Sequence, residues 1–487
     1  MVAVTAVLIM VSAAVIGIRD REEIKMKIVD LQPTAENILD TYSDDAIGRN
    51  GDVFRFVSML NTANRPFSVA VDAPWGAGKT FFVKQVKLVL DAFNPHTKCL
   101  EQIEADLVQR TWQRNKGADK ADLQPQVTVY YDAWRNDNNT DPVHSLVYAI
   151  LQTVESDFKF RESSGLIRLA AGFVDAFQGT SISNLLDLLH GENPLAAIGA
   201  QKKVEQQFAE FLESLLAERG NRLVVFVDEL DRCNPSFAVK LLERIKHYFF
   251  NDRITFVFSV NINELQHTIK KHYGTDFDAC RYLDRFFDFR LSLPPVDMDA
   301  YFRNAGLAHG HYVYDGICKS LIDMYGFTFR ESTKFLQTAF AAAYKPTHGE
   351  KTRFMFSDGH GMFFCIAAIA PLMIALRIKD YRKYNNFVSG KDSSPLHELF
   401  EFSNSVGRLK GDLLADGETY KAFGEADSSS VVSLKKKLDQ VYDAVFKNPY
   451  TDGRYECVIG KCSFSKSTRD WVLRISSAMS EYADFTV

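Results

Sequence analysis

The stretch Val71–Phe82, VDAPWGAGKTFF, carries three of the four defined positions of the pattern G-x-x-x-x-G-K-[ST]. Gly78, Lys79 and Thr80 fill the last three, and Ala73 stands where the first glycine belongs. Just ahead of it, FSVAV (Phe67 to Val71) reads as a short buried strand. Just behind, TFFVKQVKLVLDAF (Thr80 to Phe93) has the apolar spacing of a helix. Strand, glycine-rich turn and helix form the context in which backbone N–H groups and a helix N-terminus converge on phosphate oxygens. Gly76 and Gly78 supply backbone freedom and leave no Cβ in the way of a close approach. Lys79 would neutralise β- and γ-phosphates, and Thr80 would offer its hydroxyl to Mg²⁺. The expected nucleotide-binding set is therefore Pro74, Trp75, Gly76, Ala77, Gly78, Lys79, Thr80 and Phe81. Alanine at position 73 costs about 1–2 kcal/mol only if the loop demands left-handed backbone there. A tight strand-to-helix turn with a solvated lysine is the alternative reading.

Downstream, RLVVFVDELDRC (Arg222 to Cys233) has an apolar run, Leu223 to Val227, of the kind found in parallel sheets, ending on Asp228 and Glu229. An aspartate at the carboxyl edge of such a strand is placed to hold Mg²⁺ through water, and the glutamate beside it to polarise an attacking water. Paired carboxylates after a strand also serve as helix N-caps. The two motifs in this order and context support one another.

The rest of the chain fits around them. VTVYYDAW (Val127 to Trp134), ITFVFSVN (Ile254 to Asn261) and FFDFRLSLPP (Phe286 to Pro295) read as further strands, with helices over His144 to Phe158 and Gln201 to Arg219. Alternation of strands and helices implies a doubly wound α/β sheet. Beyond Pro295 the pattern is mainly helical, and CIAAIAPLMIAL (Cys365 to Leu376) reads as a core helix kinked at Pro371. The 487 residues are 46% hydrophobic and 24% charged, with a net charge of −5, which gives no overall attraction to nucleic acid. Seven scattered cysteines suit a reducing compartment, and Cys457 and Cys462 read as structural or free thiols. Met1 to Ile18 is uncharged and lacks the basic start of a secretory signal. Either the chain begins at Met26, or this segment anchors it with Arg19 and Arg21 keeping the bulk on the cytoplasmic side of an inner membrane. Both readings leave the globular part cytoplasmic, with membrane contact only if residues 1–18 are present.

PWGAGKT, YYDAWR and VVFVDELDRCNP together resemble the KAP family of P-loop NTPases. The matching positions are Trp75 inside the loop, Asp132-Ala133-Trp134 at the end of an aromatic strand, and Asp228, Asp231, Arg232 and Cys233 of the acidic motif. Relatives with membrane helices inserted in the NTPase domain differ from this chain, whose stretch from Arg161 to Ala200 is too polar to span. The resemblance implies a P-loop NTPase with a doubly wound, mostly parallel sheet and a mainly helical C-terminal region. It also implies ATP and Mg²⁺ as ligands, and a catalytic glutamate on a strand other than the one that feeds the phosphate loop. The expected division is an apolar segment over 1–25, an NTPase core over 26–295 with a helical insertion near 161–220, a helical lid over 296–400, and a further region over 401–487.

The expected catalytic set is Lys79, Asp228, Glu229 and Arg285, with Thr80 and Asp228 toward the metal. Asn261 is either a polar sensor of the γ-phosphate or the N-cap of the helix that follows it. Arg285 stands where oligomeric relatives place an arginine acting in trans; an ion pair with Asp284 or Asp288 is the competing role. Arg232 is expected to pair with Asp231 or a neighbouring loop, and Arg330 is a candidate lid arginine. These features imply an ATP-hydrolysing switch working with a protein partner or in a homo-oligomer. Bacterial relatives extend the expectation to anti-phage defence. A scaffold that binds ATP without turnover and a nucleic-acid-stimulated motor are the rivals.

Overall fold

Short runs rich in Val and Phe, six or seven residues long in four strands and four residues in the fifth, build the centre of the N-terminal half. In the computed structural model they form one five-stranded sheet with the order β2-β3-β4-β1-β5. The strands are β1 Phe67–Asp72, β2 Gln126–Asp132, β3 Arg222–Asp228, β4 Ile254–Val260 and β5 Phe289–Ser292, and every pairing is parallel. The structure describes residues 32–62, 67–115, 123–139, 141–158, 206–217, 219–249, 251–304, 312–346, 352–354, 359–415, 428–447 and 456–482. The N-terminal segment 1–25 and most of the expected insertion near 161–220 lie outside them, apart from a helical stretch over 206–216.

Strand composition follows position in the sheet. β4 is buried at all seven residues, as a strand flanked on both sides and covered on both faces must be, whereas the edge strand β5 is mostly exposed. An aromatic chain consolidates one face: the ring centroids of Phe208 and Phe249 lie 4.6 Å apart, and those of Phe258 and Phe287 5.2 Å apart. Edge-to-face pairs of this kind stabilise by about 0.5–1.5 kcal/mol each beyond the burial of their area.

Two strands are shorter than their apolar runs predict. β2 stops at Asp132, and Trp134 begins a 3₁₀ turn, Trp134–Asn136. β5 covers only Phe289–Ser292; Phe286 and Phe287 are buried from the turn that precedes it. Arg49 is 1% exposed and donates to the Pro294 carbonyl at 2.6 Å, holding the segment after β5 to the region before β1.

The chain divides into two compact units, Val29–Tyr301 and, after it, Phe302–Val487. The second is helical, with two short antiparallel hairpins, β6 Tyr344–Pro346 with β7 Thr352–Phe354 and β8 Glu456–Ile459 with β9 Cys462–Ser465. Its apolar centre runs from His360 to Lys379, the one helical stretch among the described residues that is long and apolar enough to cross a membrane; 83% of its most apolar window is buried. Cys365–Ile369 is a π turn, closed by the Ala370 N–H on the Cys365 carbonyl immediately before Pro371. The expected proline position thus coincides with a π turn, which closes immediately before the residue that lacks an N–H. None of the seven cysteines, all among the described residues, is in a disulfide; Cys457 and Cys462 lie on the β8–β9 hairpin.

Close packing in this unit gives a contrast within one residue type. A Cβ on Gly361 would run into the Ser463 carbonyl of β9, whereas a Cβ on Gly51, in the Asn50–Asn61 helix of the first unit, meets nothing within 4 Å. Gly361→Ala should therefore cost about 1–3 kcal/mol in urea unfolding by overpacking. Gly51→Ala should be neutral or stabilising by about 0.4–1 kcal/mol.

Candidate nucleotide site

The phosphate loop, Asp132, Asp228, Glu229 and Asn261 stand at the carboxyl ends of the strands, the edge where open α/β sheets bind ligands. Register puts Asp132 beside Asp228, Asp228 beside Ser259, and Asp72 beside Val260. β4 therefore lies between the strand that feeds the phosphate loop and the strand that ends in Asp228 and Glu229.

The loop follows β1 directly. The Ala73 N–H extends the ladder to the Val260 carbonyl at 3.3 Å. Gly76 has φ 80° and Gly78 φ 86°, so the two glycines occupy the left-handed conformations that the turn requires. Among the described residues only Asp45 and Glu229 are non-glycine residues with positive φ, so Ala73 carries no such strain. Lys79 opens the helix Lys79–Ala92 and is 9% exposed. Its Nζ donates to the Ala73 carbonyl at 2.6 Å and to the Pro74 carbonyl at 3.3 Å. Burial pulls the ammonium below its usual range, and the Asp231 and Asp228 carboxylates push back. Thr80, the second residue of that helix, is half-buried.

Opposite the loop, Asp228 is 1% exposed and accepts from Tyr130 Oη at 2.8 Å on Oδ2 and from the Glu229 N–H at 3.0 Å on Oδ1. Each carboxylate oxygen keeps a further lone pair. Glu229 turns the chain with φ 60° and ψ 26°, a conformation that costs a non-glycine residue about 1–2 kcal/mol. The turn leaves its carboxylate half-buried and 3.0 Å from Arg232 Nη1. Burial raises the Glu229 carboxyl above its ordinary range; Arg232 opposes the shift, and Asp228, Asp132 and Asp231 add to it.

Asp231 does not pair with Arg232. Its Oδ2 accepts from Trp75 Nε1 at 2.6 Å, tying the phosphate loop to the acidic motif. Burial raises the Asp231 carboxyl, with the Trp75 hydrogen bond and Lys79 acting against the rise. The Arg232 guanidinium lies over two indoles, 5.8 Å from the Trp75 ring centroid and 5.4 Å from that of Trp134, both within cation–π range.

The remaining expected residues fall differently. Asn261 Oδ1 accepts from the Asn263 and Glu264 N–H groups at 3.2 and 3.4 Å, so its side chain caps the helix Ile262–Tyr273. Arg285 is exposed and lies before β5, where the Asp288 N–H bonds the Ser68 carbonyl near the start of β1. That is the opposite edge of the sheet from its own phosphate loop. The expected ion pairs go elsewhere: Asp284 bonds Arg290 at 2.6 Å, and Asp288 accepts from the Ser68 N–H at 2.8 Å. Arg330 is exposed on a helix of the second unit. Two residues with evident local roles escaped the sequence reading. Tyr130 holds Asp228, and Asp72 accepts from the Ile262 N–H at 2.9 Å, fixing the end of β1 to the helix after β4. Alternation along β2 puts Tyr130 and Asp132 on one face, which was the available signal.

Among the described residues no cluster of three or more His, Cys, Asp or Glu could enclose a metal. Mg²⁺ at phosphate sites is held by one or two protein groups, water and phosphate oxygens, so Thr80 and Asp228 are a fitting donor pair.

A family model described as the KAP family P-loop domain matches residues 54–304. No curated protein gives a significant match. Among solved structures, the Aeropyrum pernix ORC1 protein in complex with DNA is similar at 13% identity, covering 90% of this chain and 94% of that one, with a TM-score of 0.33. At that score the likeness bears on neither ligand nor activity.

Proposed function

The chain belongs to the KAP family of P-loop NTPases, and from that premise we propose that it binds ATP with Mg²⁺ and hydrolyses it as a conformational or assembly switch. The observation that carries the reading is Glu229: a half-buried carboxylate beside Asp228, at the strand edge that also bears the Lys79 loop. In this reading the phosphate chain lies on the backbone of Pro74 to Thr80, with Lys79 moving its ammonium from the Ala73 carbonyl to phosphate oxygen. Thr80 and Asp228 would hold Mg²⁺, which when bound neutralises developing phosphate charge. Glu229 takes a proton from water as the water oxygen bonds to the γ-phosphorus. The bond to the bridging oxygen breaks, and its electron pair leaves with ADP. A carboxylate with a raised pKa is better matched to that proton transfer near neutral pH than an ordinary one.

The exposed Arg285, remote from its own loop, supports a role in trans and hence a homo-oligomer or protein partner. The seven scattered cysteines support a cytoplasmic setting for this switch, and the family resemblance supports a part in anti-phage defence. The test is phosphate release from ATP with Mg²⁺ and with EDTA. Release that chelation abolishes is expected; ATP binding without release would make the chain a nucleotide-binding scaffold.

A further inference from the structure

Tyr130 touches both halves of the site. Its Oη donates to Asp228 Oδ2 at 2.8 Å, and Lys84 Nζ of the phosphate-loop helix lies over its ring, 4.8 Å from the centroid. We propose that Tyr130 is the positioning residue of Asp228, fixing which carboxylate lone pairs are left for a cation and setting Asp228 level with Thr80. The inference rests on the reading of Thr80 and Asp228 as the groups that hold Mg²⁺.

Three observations carry it. First, Asp228 is 1% exposed, and each of its oxygens has one protein donor: Tyr130 Oη on Oδ2 and the Glu229 N–H on Oδ1. The N–H of the adjoining residue alone leaves the carboxylate free to turn about its last bond. A second donor from another strand removes that freedom. A carboxylate offers about four lone-pair positions, so these two bonds dictate where the remaining two point.

Second, Tyr130 meets Asp228 through the sheet. Tyr130 pairs with Phe226 and Asp132 with Asp228, so Tyr130 stands one diagonal step behind Asp228 on the same face. Long aromatic side chains span such a step.

Third, the phosphate-loop helix Lys79–Ala92 runs along this face. Thr80, Lys84, Lys87 and Asp91 are spaced four, three and four residues apart, which puts them on one stripe of the helix. Asp91 accepts from the Thr128 hydroxyl and Lys84 lies over Tyr130, so helix and strand pass each other in opposite directions. The next step along both brings Thr80 to the end of β2, where Asp132 stands beside Asp228. Tyr130 is thus packed under the helix that carries one donor and bonded to the other.

The experiment titrates Mn²⁺, read by electron paramagnetic resonance, into the full chain loaded with a non-hydrolysable ATP analogue. Wild type, Tyr130→Phe, Asp228→Asn and the double variant are compared, with analogue affinity and the urea midpoint both measured in EDTA. Loss of a group that orients a metal ligand weakens metal binding by about 10–100-fold, and the retained Glu229 bond puts Tyr130→Phe near tenfold. Asp228→Asn should weaken Mn²⁺ binding at least as much. The two losses should not add in the double variant, because Tyr130 acts through Asp228. Analogue affinity in EDTA should stay within about threefold of wild type in Tyr130→Phe. A lower urea midpoint in Tyr130→Phe with Mn²⁺ affinity unchanged would make Tyr130 a support of the fold only and overturn the proposal, leaving the role of Asp228 intact. An Mn²⁺ affinity unchanged in Asp228→Asn would overturn the proposal together with the reading of Asp228 as a metal-holding group. Should Tyr130→Phe not fold, Tyr130→Met also lacks the donor, and an Mn²⁺ affinity equal to wild type in that variant would overturn the proposal.

Discussion

Lys79→Ala is expected to weaken ATP binding by about ten- to a hundredfold and to remove ATP-dependent phosphate release. A hydrogen bond to a charged group contributes about 1.5–3 kcal/mol, and each 1.4 kcal/mol is a factor of ten in affinity. Lys79 is placed to deliver that contribution. Its ammonium is nearly buried and bonds two carbonyls of the loop itself, so it waits on the path of any phosphate that settles on Gly76 and Gly78. Truncation has a second effect. The Ala73 and Pro74 carbonyls lose a charged donor, and Asp231 loses a cation that holds its raised carboxyl down. The Asp231 bond to Trp75 then draws on a carboxyl that takes up a proton more readily. Isothermal titration with ATP and with a non-hydrolysable analogue measures the first effect. An affinity equal to wild type would remove Lys79 from the binding site.

Glu229→Gln should have the larger effect on rate and a small one on binding. General-base catalysis contributes about 10²–10⁴-fold, and the amide cannot accept the proton from water. The amide keeps the side-chain shape and the left-handed backbone, so the loop and Asp228 are undisturbed. Stability should change in the opposite sense to activity. Because the folded carboxyl has a raised pKa, ionising Glu229 disfavours the folded state. This penalty begins as pH rises past the ordinary glutamate value and is complete above the folded one. Glutamine carries no such charge, so the variant should be at least as stable as wild type at neutral pH and should lose its advantage in acid. A midpoint lower than wild type at neutral pH would mean that the Arg232 ion pair outweighs burial.

Much of the frame was legible because buried parallel strands are written as uninterrupted apolar runs. β1, β3 and β4 fall within a residue of their predicted limits. The same signal misled at Phe286 and Phe287, since apolar composition cannot tell a strand from a turn packed into the core. The β8–β9 hairpin was missed although its two-residue turn, Gly460-Lys461, has the Gly-X form that marks tight hairpins. Four-residue strands give alternation too little length to register.

At the site, spacing showed that Arg232 lies within reach of carboxylates but could not choose among them. The expected pairing with Asp231 or a neighbouring loop gives way to one with Glu229, 3.0 Å from Arg232 Nη1, while Asp231 accepts from Trp75 instead. Alternation along β2 gives the face of Tyr130 but not its partner, since Asp228 is 98 residues away and meets it only through the β2–β3 register. Asn261 was legible as either cap or sensor, and it makes the hydrogen bonds of a cap to two N–H groups.

Phosphate release in a single turnover, from wild type and Glu229→Gln each preloaded with ATP and Mg²⁺, tests the central claim most directly. The account predicts that both proteins retain ATP through gel filtration and that only the wild type releases phosphate. Equal release from the two, or none from either, would contradict it.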